Sequence, residues 1–417
     1  MATANDAPVA PAAERTGGSL AVRALAAALL LATACLVLLD AVTPRRLATI
    51  DEGQWLFFAR ALMDGGVLYR DVWYQFGPLL LYPLVGAFSV FGETLAVARA
   101  VFWAMNALGL LCGGFALAAL TRSLGWTALG VFLLECNALI CRAINVNPTF
   151  LMRQCLPLLA LALAAWSWRA ARPALLWWAG GAAGLAVLSS QETGLFTGAA
   201  LVAAALLEDS RRGDGWRWPG LAPARPLVLG AAVPLLAWCA FALASGGLGS
   251  YLTVSFLDTL VMVSGSQHQP LADWGSLLGS DVPPERVFRG RAQWVLTYFP
   301  WAVIAAGAWV WRARGRAGDA IDRGFTALLL CALLFWTVNL GRADRAHAAF
   351  AAGPAIVLGV VLLAQARRRR EWILAGVSAL ALAGMWASSL DRVAAFDSDE
   401  AFSADFPRSG GAGIRVR

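Results

Sequence analysis

The chain has 417 residues, of which 59% are hydrophobic and only 14% are charged. Soluble domains are about half apolar and about one quarter charged, so this composition excludes an ordinary soluble enzyme. The formal net charge is +7, and every basic side chain is an arginine. The arginines lie in short segments between apolar runs, which indicates basic membrane loops rather than a nucleic-acid-binding surface. The predicted fold class is all-α, a polytopic transmembrane helical protein.

The apolar runs divide the chain into a transmembrane domain, residues 22–389, and two tails. Residues 1–21 are rich in Ala and Pro and lack the order of a signal peptide, so we expect a disordered cytoplasmic tail. Residues 390–417 form an external tail that is too short for a domain. The eleven predicted membrane helices cover residues 22–41, 95–120, 124–141, 149–168, 174–189, 194–208, 226–245, 294–311, 324–340, 348–366 and 371–389.

The arginines separate the loops into two sets. Every second loop is rich in arginine, and the loops between them hold fewer arginines and more acids. Cytoplasmic loops of membrane proteins are enriched in Lys and Arg, so we expect a cytoplasmic N-terminus and an external C-terminus. The arginines of the cytoplasmic set lie at residues 122, 169–172, 211–225, 312–323 and 367–370.

This topology places four unusually polar segments together on the external face. They are the first external loop at residues 43–94, the short turn at 189–193, the long loop at 246–293 and the turn at 341–347. Placing the helices on the apolar runs does not by itself require these segments to converge on one face. Their convergence therefore predicts an active site on the external side of the membrane.

The first external loop contains an amphipathic helix that is predicted to begin at Asp51 and to end before Gly65 and Gly66. A carboxylate at a helix N-terminus is favoured in its ionised form by the helix dipole. The segment from Phe76 to Phe91 is apolar but short, so we expect an interfacial or re-entrant segment. The apolar face of the first helix has the spacing i, i+3, i+4, i+7 and consists of Trp55, Phe58, Ala59 and Leu62.

The same loop carries a motif whose order and spacing are distinctive. The motif consists of Asp51-Glu52, Gly65-Gly66, Tyr69-Arg70-Asp71, Gly77-Pro78-Leu79, and Phe91-Gly92 followed by Arg99. It resembles the first external loop of the GT-C superfamily, the integral-membrane glycosyltransferases that use polyprenyl-phosphate-linked sugars. The nearest branch contains the protein O-mannosyltransferases and aminoarabinose transferases. The resemblance covers roughly fifty residues, and beyond them only the topology is similar.

The resemblance implies inverting transfer of a sugar from a polyprenyl-phosphate carrier to a cell-envelope acceptor, which could be a lipid, a glycan or a protein. It places the protein in a bacterial inner membrane. Asp51 is then the candidate base, and Glu52 would orient it, bind the acceptor or help to hold a metal. The simpler alternative for Asp51 is a helix N-cap. Dependence on a divalent cation, Mg or Mn, stays open, because the family contains both kinds of member.

Two further groups of residues are candidates for substrate binding. Arg342 and Arg345 would hold the lipid phosphate, since guanidinium groups donate bidentately to phosphate. With Asp344 and His347 they form an Arg-x-Asp-x-x-His pattern that resembles a segment of some GT-C-like proteins, and His347 could form a metal site with Asp51 and Asp344. Charges that extend from a helix end to the membrane interface are the alternative. The second group lies in the first loop and the turn at 189–193 and consists of Arg70, Asp71, Tyr74, Gln191 and Glu192.

The second group has its own alternatives. Tyr74 would stack on a sugar, although aromatic residues at this depth are often interfacial anchors. Family members often carry a lysine near residue 191, where this chain has Gln191 and Glu192. These two residues are expected at an exposed hairpin tip, where Glu192 would contact the acceptor or a cation rather than the phosphate.

Charged residues also occur within or near the predicted membrane helices. Glu135 is expected to pair with Arg99 or Arg153, because an isolated charge in a bilayer is costly. Such a pair would serve structure as readily as substrate binding.

Two other classes of function remain open. A transporter or lipid-handling protein would also use broken helices and intramembrane charges, although no repeated halves are present. A GT-C-like scaffold without activity is the third hypothesis. The sequence contains neither a P-loop nor a dinucleotide fingerprint, and its 7 cysteines have neither disulfide-framework nor zinc-site spacing.

Overall fold

The computed structural model describes residues 20–42, 51–144, 149–210, 220–258, 261, 271, 284–316, 322–341, 345–366 and 369–395. Within these ranges the chain is almost entirely helical and contains no β-strand, apart from one isolated bridge between Leu68 and Val72. The predicted all-α class is confirmed.

A helix is present at each of the eleven predicted membrane positions, and most ends agree within a few residues. The helices are α1 (Leu20–Val42), α2 (Asp51–Met63), α3 (Tyr82–Phe91), α4 (Leu95–Thr121), α5 (Leu124–Ile144), α6 (Thr149–Ala170), α7 (Ala174–Ser189), α8 (Gln191–Ser210), α9 (Arg225–Ala244), α10 (Leu248–Leu252), α11 (Pro284–Arg316), α12 (Arg323–Trp336), α13 (Val338–Gly341), α14 (Arg345–Gln365) and α15 (Arg369–Ala395). A 3-10 turn, Pro78–Leu80, precedes α3, and a π-helical segment, Thr253–Asp258, follows α10.

The apolar helices identify a multi-pass membrane protein. In the described part of the chain, six segments are long and apolar enough to cross a membrane by length and composition. These segments are Leu20–Leu38, Leu95–Thr121, Arg225–Ala244, Trp294–Arg314, Arg323–Gly341 and His347–Gln365. Shorter apolar helices pack between them.

Helix α14 lies at the centre of the bundle. Its apolar segment is 83% buried, whereas the corresponding segments of α1 and α9 are 11% and 17% buried. Helices α5, α11, α12 and α15 pack around α14, and α6 joins α4 to α7. The apolar surfaces of α1 and α9 therefore face outwards, where a bilayer would cover them.

Helix α2 has the predicted bounds and the predicted buried face. It begins at Asp51, and its side chains Trp55 and Ala59 are buried. It ends in a Schellman motif, in which the amide of Gly66 donates to the carbonyl of Ala61 and that of Gly65 to Leu62. Gly65 has a φ of +94°, which a residue with a side chain rarely adopts.

We call α2, residues 64–81 and α3 together the cap. The cap has its own hydrophobic core, to which α4 contributes Phe102 and α10 contributes Tyr251. Arg60 of α2 forms ion pairs with Asp64 and with Glu93, which precedes α4. The segment from Phe76 to Phe91 forms a turn and the short helix α3, as its length predicts.

The two ends of the bundle differ. We call the end that carries the cap the cap end, and the other the arginine end. At the arginine end Arg169 bonds Asp322 at 2.6 Å and the last-turn carbonyl of Leu120 in α4 at 3.1 Å. Arg314 bonds Glu371 at 2.9 Å. Both arginines belong to the set that the sequence assigns to one side, and the structure brings their helix ends together.

Candidate functional site

The guanidinium of Arg153, near the start of α6, is the centre of a polar cluster at the cap end. Its side chain is only 7% exposed. The guanidinium carbon lies over the ring of Phe76 at 5.1 Å and over the ring of Phe350 at 4.4 Å. Cation–π contacts of this length are favourable, and more so when they are shielded from water. Arg153 therefore joins α6, the cap and α14.

The edge of the same guanidinium faces the corner between α7 and α8. Its Nε donates to the hydroxyl of Ser190 at 3.0 Å, and its Nη2 forms an ion pair with Glu192. The partner of Arg153 is thus Glu192, and the expected pair of Arg153 with Glu135 is wrong. Glu192 lies in the first turn of α8 and is 32% exposed, whereas Glu135 is fully buried in α5.

A proline one turn after Arg153 removes a helical hydrogen bond from its carbonyl. Pro157 lies inside α6 and has no amide proton to donate to the carbonyl of residue 153. The hydroxyl of Thr193 donates to that carbonyl instead, at 3.2 Å. Polar side chains of neighbouring helices commonly satisfy such carbonyls in membrane proteins. The interruption therefore ties α6 to the start of α8.

The same device recurs at Phe350. Pro354 lies inside α14 and leaves the carbonyl of Phe350 without its helical donor. The amide nitrogen of Gln154 donates to this carbonyl at 2.6 Å. Gly353 leaves the space for that amide, because a Cβ there would collide with the Gln154 side chain. The residue next to Arg153 thus holds α14 in the register that places Phe350 against Arg153.

The cap is docked onto the α7–α8 corner by backbone contacts. The amide of Gly77 donates to the carbonyl of Ser189 at 3.2 Å, and Gln191 donates to the carbonyl of Gln75 at 3.4 Å. A Cβ at Gly77 would collide with the carbonyl of Leu188. Gln191 is buried and not exposed at a hairpin tip as expected, because the cap covers the corner.

Two tyrosines of the cap support Phe76. Tyr69 donates its hydroxyl to the carbonyl of Phe76 at 2.6 Å and adopts a positive φ of 68°. Tyr74 is 1% exposed and packs edge-on against Trp55 and Phe58. Burial raises the pKa of the Tyr74 hydroxyl well above its ordinary value. In this conformation Tyr74 packs in the core of the cap and does not face a cleft.

Arg70 and Asp71 form an exposed ion pair at 2.8 Å on the other side of the cap. Arg70 also donates to the carbonyl of Ser245 at 3.2 Å, and Asp71 accepts from the amide of Val67 at 2.9 Å. The hydrogen bond from Arg70 lowers the pKa of the Asp71 carboxyl. The pair therefore links the cap to the chain that follows α9. Described residues of the first external loop and of the turn at 189–193 thus meet at the cap end, and Tyr251 of the long loop packs in the cap.

Several candidate residues lie partly or wholly outside the described part of the chain. This holds for the side chains of Asp51, Glu52 and Arg345 and for the whole of Arg342 and Asp344. His347 is partly buried in α14, one turn before Phe350. Among the described residues, no three His, Cys, Asp or Glu side chains form a group that could hold a metal ion.

An open apolar groove of about 430 Å³ runs along the outside of the bundle below the cap. Leu188, one of its lining residues, is followed directly in the chain by Ser189 and Ser190. The wall of the groove at Leu188 therefore lies close to the polar cluster. Its lining residues come from α3, α7 and α9 and are Tyr82, Leu185, Leu188, Pro234, Ala237, Trp238 and Phe241.

Arg153 was expected from the sequence only as a membrane charge, and Gln154, Thr193 and Phe350 were not predicted to surround it. A signal was present, because a proline follows four residues after Arg153 and four residues after Phe350. Each spacing predicts a carbonyl that needs a donor from another helix.

The helical bundle with its docked cap defines a polytopic integral-membrane helical fold. The crystal structure of ArnT from Cupriavidus metallidurans in the apo state is similar, with a TM-score of 0.53 at 16% sequence identity. The similarity covers 88% of this chain and 76% of that chain. The fold implied by the first-loop motif is thus confirmed. No protein-family model matches the sequence. A comparison with curated proteins gives no match either.

Proposed function

We propose that the protein is a GT-C-type glycosyltransferase that moves a sugar from a polyprenyl-phosphate carrier to an extracytoplasmic acceptor with inversion. One observation carries the proposal. The first external loop and the turn at 189–193 meet at the cap end around a buried arginine, Phe350 of α14 packs against the same arginine, and an apolar groove lies nearby. Pockets that combine apolar walls with a few convergent polar groups are typical ligand sites.

The groove supports a lipid-linked donor. Its walls are almost entirely aliphatic and aromatic, and it opens on the side of the bundle that a bilayer would cover. An isoprenoid chain in the groove would place its phosphate near the polar cluster. Arg345, the first residue of α14, and Arg342, three residues earlier in the chain, are the proposed ligands of that phosphate, with Asp344 and His347 beside them in the sequence.

The chemistry that we propose uses the start of α2. Asp51 is the first residue of this helix, whose dipole favours the ionised carboxylate that a base requires. Glu52 orients Asp51 or binds the acceptor. A divalent cation, Mg or Mn, held mainly by carboxylates would bring donor and acceptor together. The site would then face the extracytoplasmic side of a bacterial inner membrane.

The test compares Asp51→Asn with a matched control, Asp64→Asn. Asp64 lies in the cap and is 58% exposed, so its substitution makes the same charge change away from the proposed chemistry. We expect Asp51→Asn to lower transfer at least roughly 100-fold, the usual contribution of a general base. Transfer is measured by mass spectrometry as the loss of polyprenyl-phosphate-linked sugar from membrane vesicles. Full transfer in Asp51→Asn would refute the assignment of the base.

The same vesicles separate the proposal from its rival. A transporter or lipid-handling protein would move its substrate across the membrane without cleaving the sugar. Flux that is insensitive to changes at Asp51 and Arg342, with no sugar lost from the carrier, would favour that rival.

A further inference from the structure

We infer that Arg153 binds the phosphate group of the carrier lipid and that Glu192 occupies the phosphate position while the site is empty. The inference deepens the proposed function and rests on it for the identity of the lipid. It assigns the ion pair at the α7–α8 corner a role in binding, in addition to its role in packing.

The first step is that Arg153 is fixed. Phe76 and Phe350 lie against its guanidinium, and Ser190 accepts from Nε. The carbonyl of Arg153 is held by Thr193. A guanidinium donates only in its own plane, so the Nη edge that faces Glu192 is where an anion can bind. Because the Arg153 side chain is already oriented, binding an anion to it costs little side-chain conformational entropy.

The second step is that Glu192 can leave. Its side chain is 32% exposed, against 7% for Arg153. Exposed ion pairs are weak because water solvates the separated carboxylate. A buried arginine without a counter-ion is costly, so the empty site needs a carboxylate beside it. An arriving anion can take over that role while the Glu192 side chain turns towards solvent.

The third step is the kind of anion. A phosphate offers more acceptor oxygens than a carboxylate, and arginine pairs with it bidentately. Leu188 lines the groove and lies two residues before Ser190, which bonds Arg153. A lipid that lies in the groove would therefore bring its head group to the Arg153 edge. The amide groups of the first turn of α8 also favour an anion at this place.

The test uses native mass spectrometry of the detergent-solubilised protein with undecaprenyl phosphate as the probe. Because Glu192 competes with the ligand, Glu192→Gln should tighten binding roughly threefold to tenfold. A residue that contacts the ligand directly would show the opposite sign. In the double variant Arg153→Gln/Glu192→Gln the gain should be lost. The double variant removes both charges together, so neither remains buried without a partner.

Three controls decide between explanations. Glu93→Gln removes a carboxylate at the same end that pairs with Arg60, and it should leave binding unchanged. Undecaprenol, which lacks the phosphate, should bind equally to wild type and to Glu192→Gln. Inorganic phosphate should compete with the lipid more strongly in Glu192→Gln than in the double variant, which would identify the phosphate itself as the recognised group.

Weaker binding of undecaprenyl phosphate to Glu192→Gln than to wild type would overturn the inference. Binding to the double variant as tight as that to Glu192→Gln would also overturn it. The inference would also fail if Glu192→Gln bound undecaprenol more tightly by the same factor, or if Glu93→Gln bound undecaprenyl phosphate as tightly as Glu192→Gln does. The outcome is separable from the proposed function. A protein that binds the lipid phosphate through Arg153 but transfers no sugar would refute the transferase and leave this inference standing.

Discussion

Both ends of the bundle contain ion pairs between an arginine and an acid, but the arginines of the two ends contact different parts of the helices. At the arginine end, Arg169 and Arg314 each pair with an acid and also donate to a backbone carbonyl, that of Leu120 or Gln365. Those carbonyls lie in the last turns of α4 and α14, where a basic side chain is favourable. These arginines therefore cap the C-terminal ends of the two helices. At the cap end Arg153 closes no helix end, and its side chain, only 7% exposed, lies against the rings of Phe76 and Phe350.

The backbone differs in the same way. At the arginine end, the carbonyls that accept hydrogen bonds from arginine side chains have no backbone donor within their own helix, because the helix ends there. At the cap end the carbonyls of Arg153 and Phe350 are free because a proline interrupts each helix one turn later. Interrupted backbone at membrane depth is tolerated where other protein groups satisfy it, and it often lines functional cavities. The comparison is consistent with the proposed function, in which the arginine end stabilises the bundle and the cap end binds the substrate.

The largest effect should come from separating the cap from the α7–α8 corner. Gly77→Ala places a Cβ against the carbonyl of Leu188, and backbone cannot move aside as a side chain can. We expect the cap to lose its contact with Ser189, at a cost of about 3 kcal/mol. Hydrogen exchange should show faster exchange across residues 69–81.

The matched control is Gly86→Ala, in α3 of the same cap. A Cβ at Gly86 meets nothing within 4 Å. It should therefore leave exchange unchanged or slow it slightly, since alanine favours a helix. Equal exchange in the two variants would show that the cap does not depend on this contact, and the distinction between the two ends would weaken.

A smaller loss of stability should come from removing the hydrogen bond between Gln154 and the carbonyl of Phe350. Gln154→Leu removes the donor to a carbonyl that Pro354 has already deprived of its amide, which should cost about 1 to 3 kcal/mol. In a Pro354→Ala background the amide of residue 354 can donate to the carbonyl of Phe350. Gln154→Leu should therefore lower the free energy of unfolding by less in that background. Thermal unfolding, followed by the fluorescence of the 19 tryptophans, measures both costs.

Asn137→Leu is the control for this cycle. Asn137 donates to the carbonyl of Ala349 at 2.8 Å, and the residue four positions later is Gly353, which has an amide. Its cost should be the same with and without Pro354→Ala. If Gln154→Leu also behaves identically in both backgrounds, the proline does not explain the Gln154 contact.

The sequence was sufficient for the helices and for the cap but not for the cluster. Hydrophobic runs place each membrane helix, and Asp51 and Gly65 mark the start and end of α2 because local chemistry decides both. The Arg153–Glu192 pair joins residues 39 positions apart through the packing of three helices, which no local pattern encodes. The burial of Gln191 likewise depends on where the cap docks, which is a long-range contact.

The smallest effect should come from the arginine end, and it should be confined to stability. Arg169 and Asp322 are 16% and 27% exposed, so Arg169→Met should lower the free energy of unfolding by about 1 kcal/mol. Arg172→Met makes the same charge change at an exposed position two residues after the end of α6 and should cost less. Neither variant should alter exchange in residues 69–81 or binding of undecaprenyl phosphate. If Arg169→Met loosened the cap, the two ends would be coupled through α6, and Arg153 would respond to both.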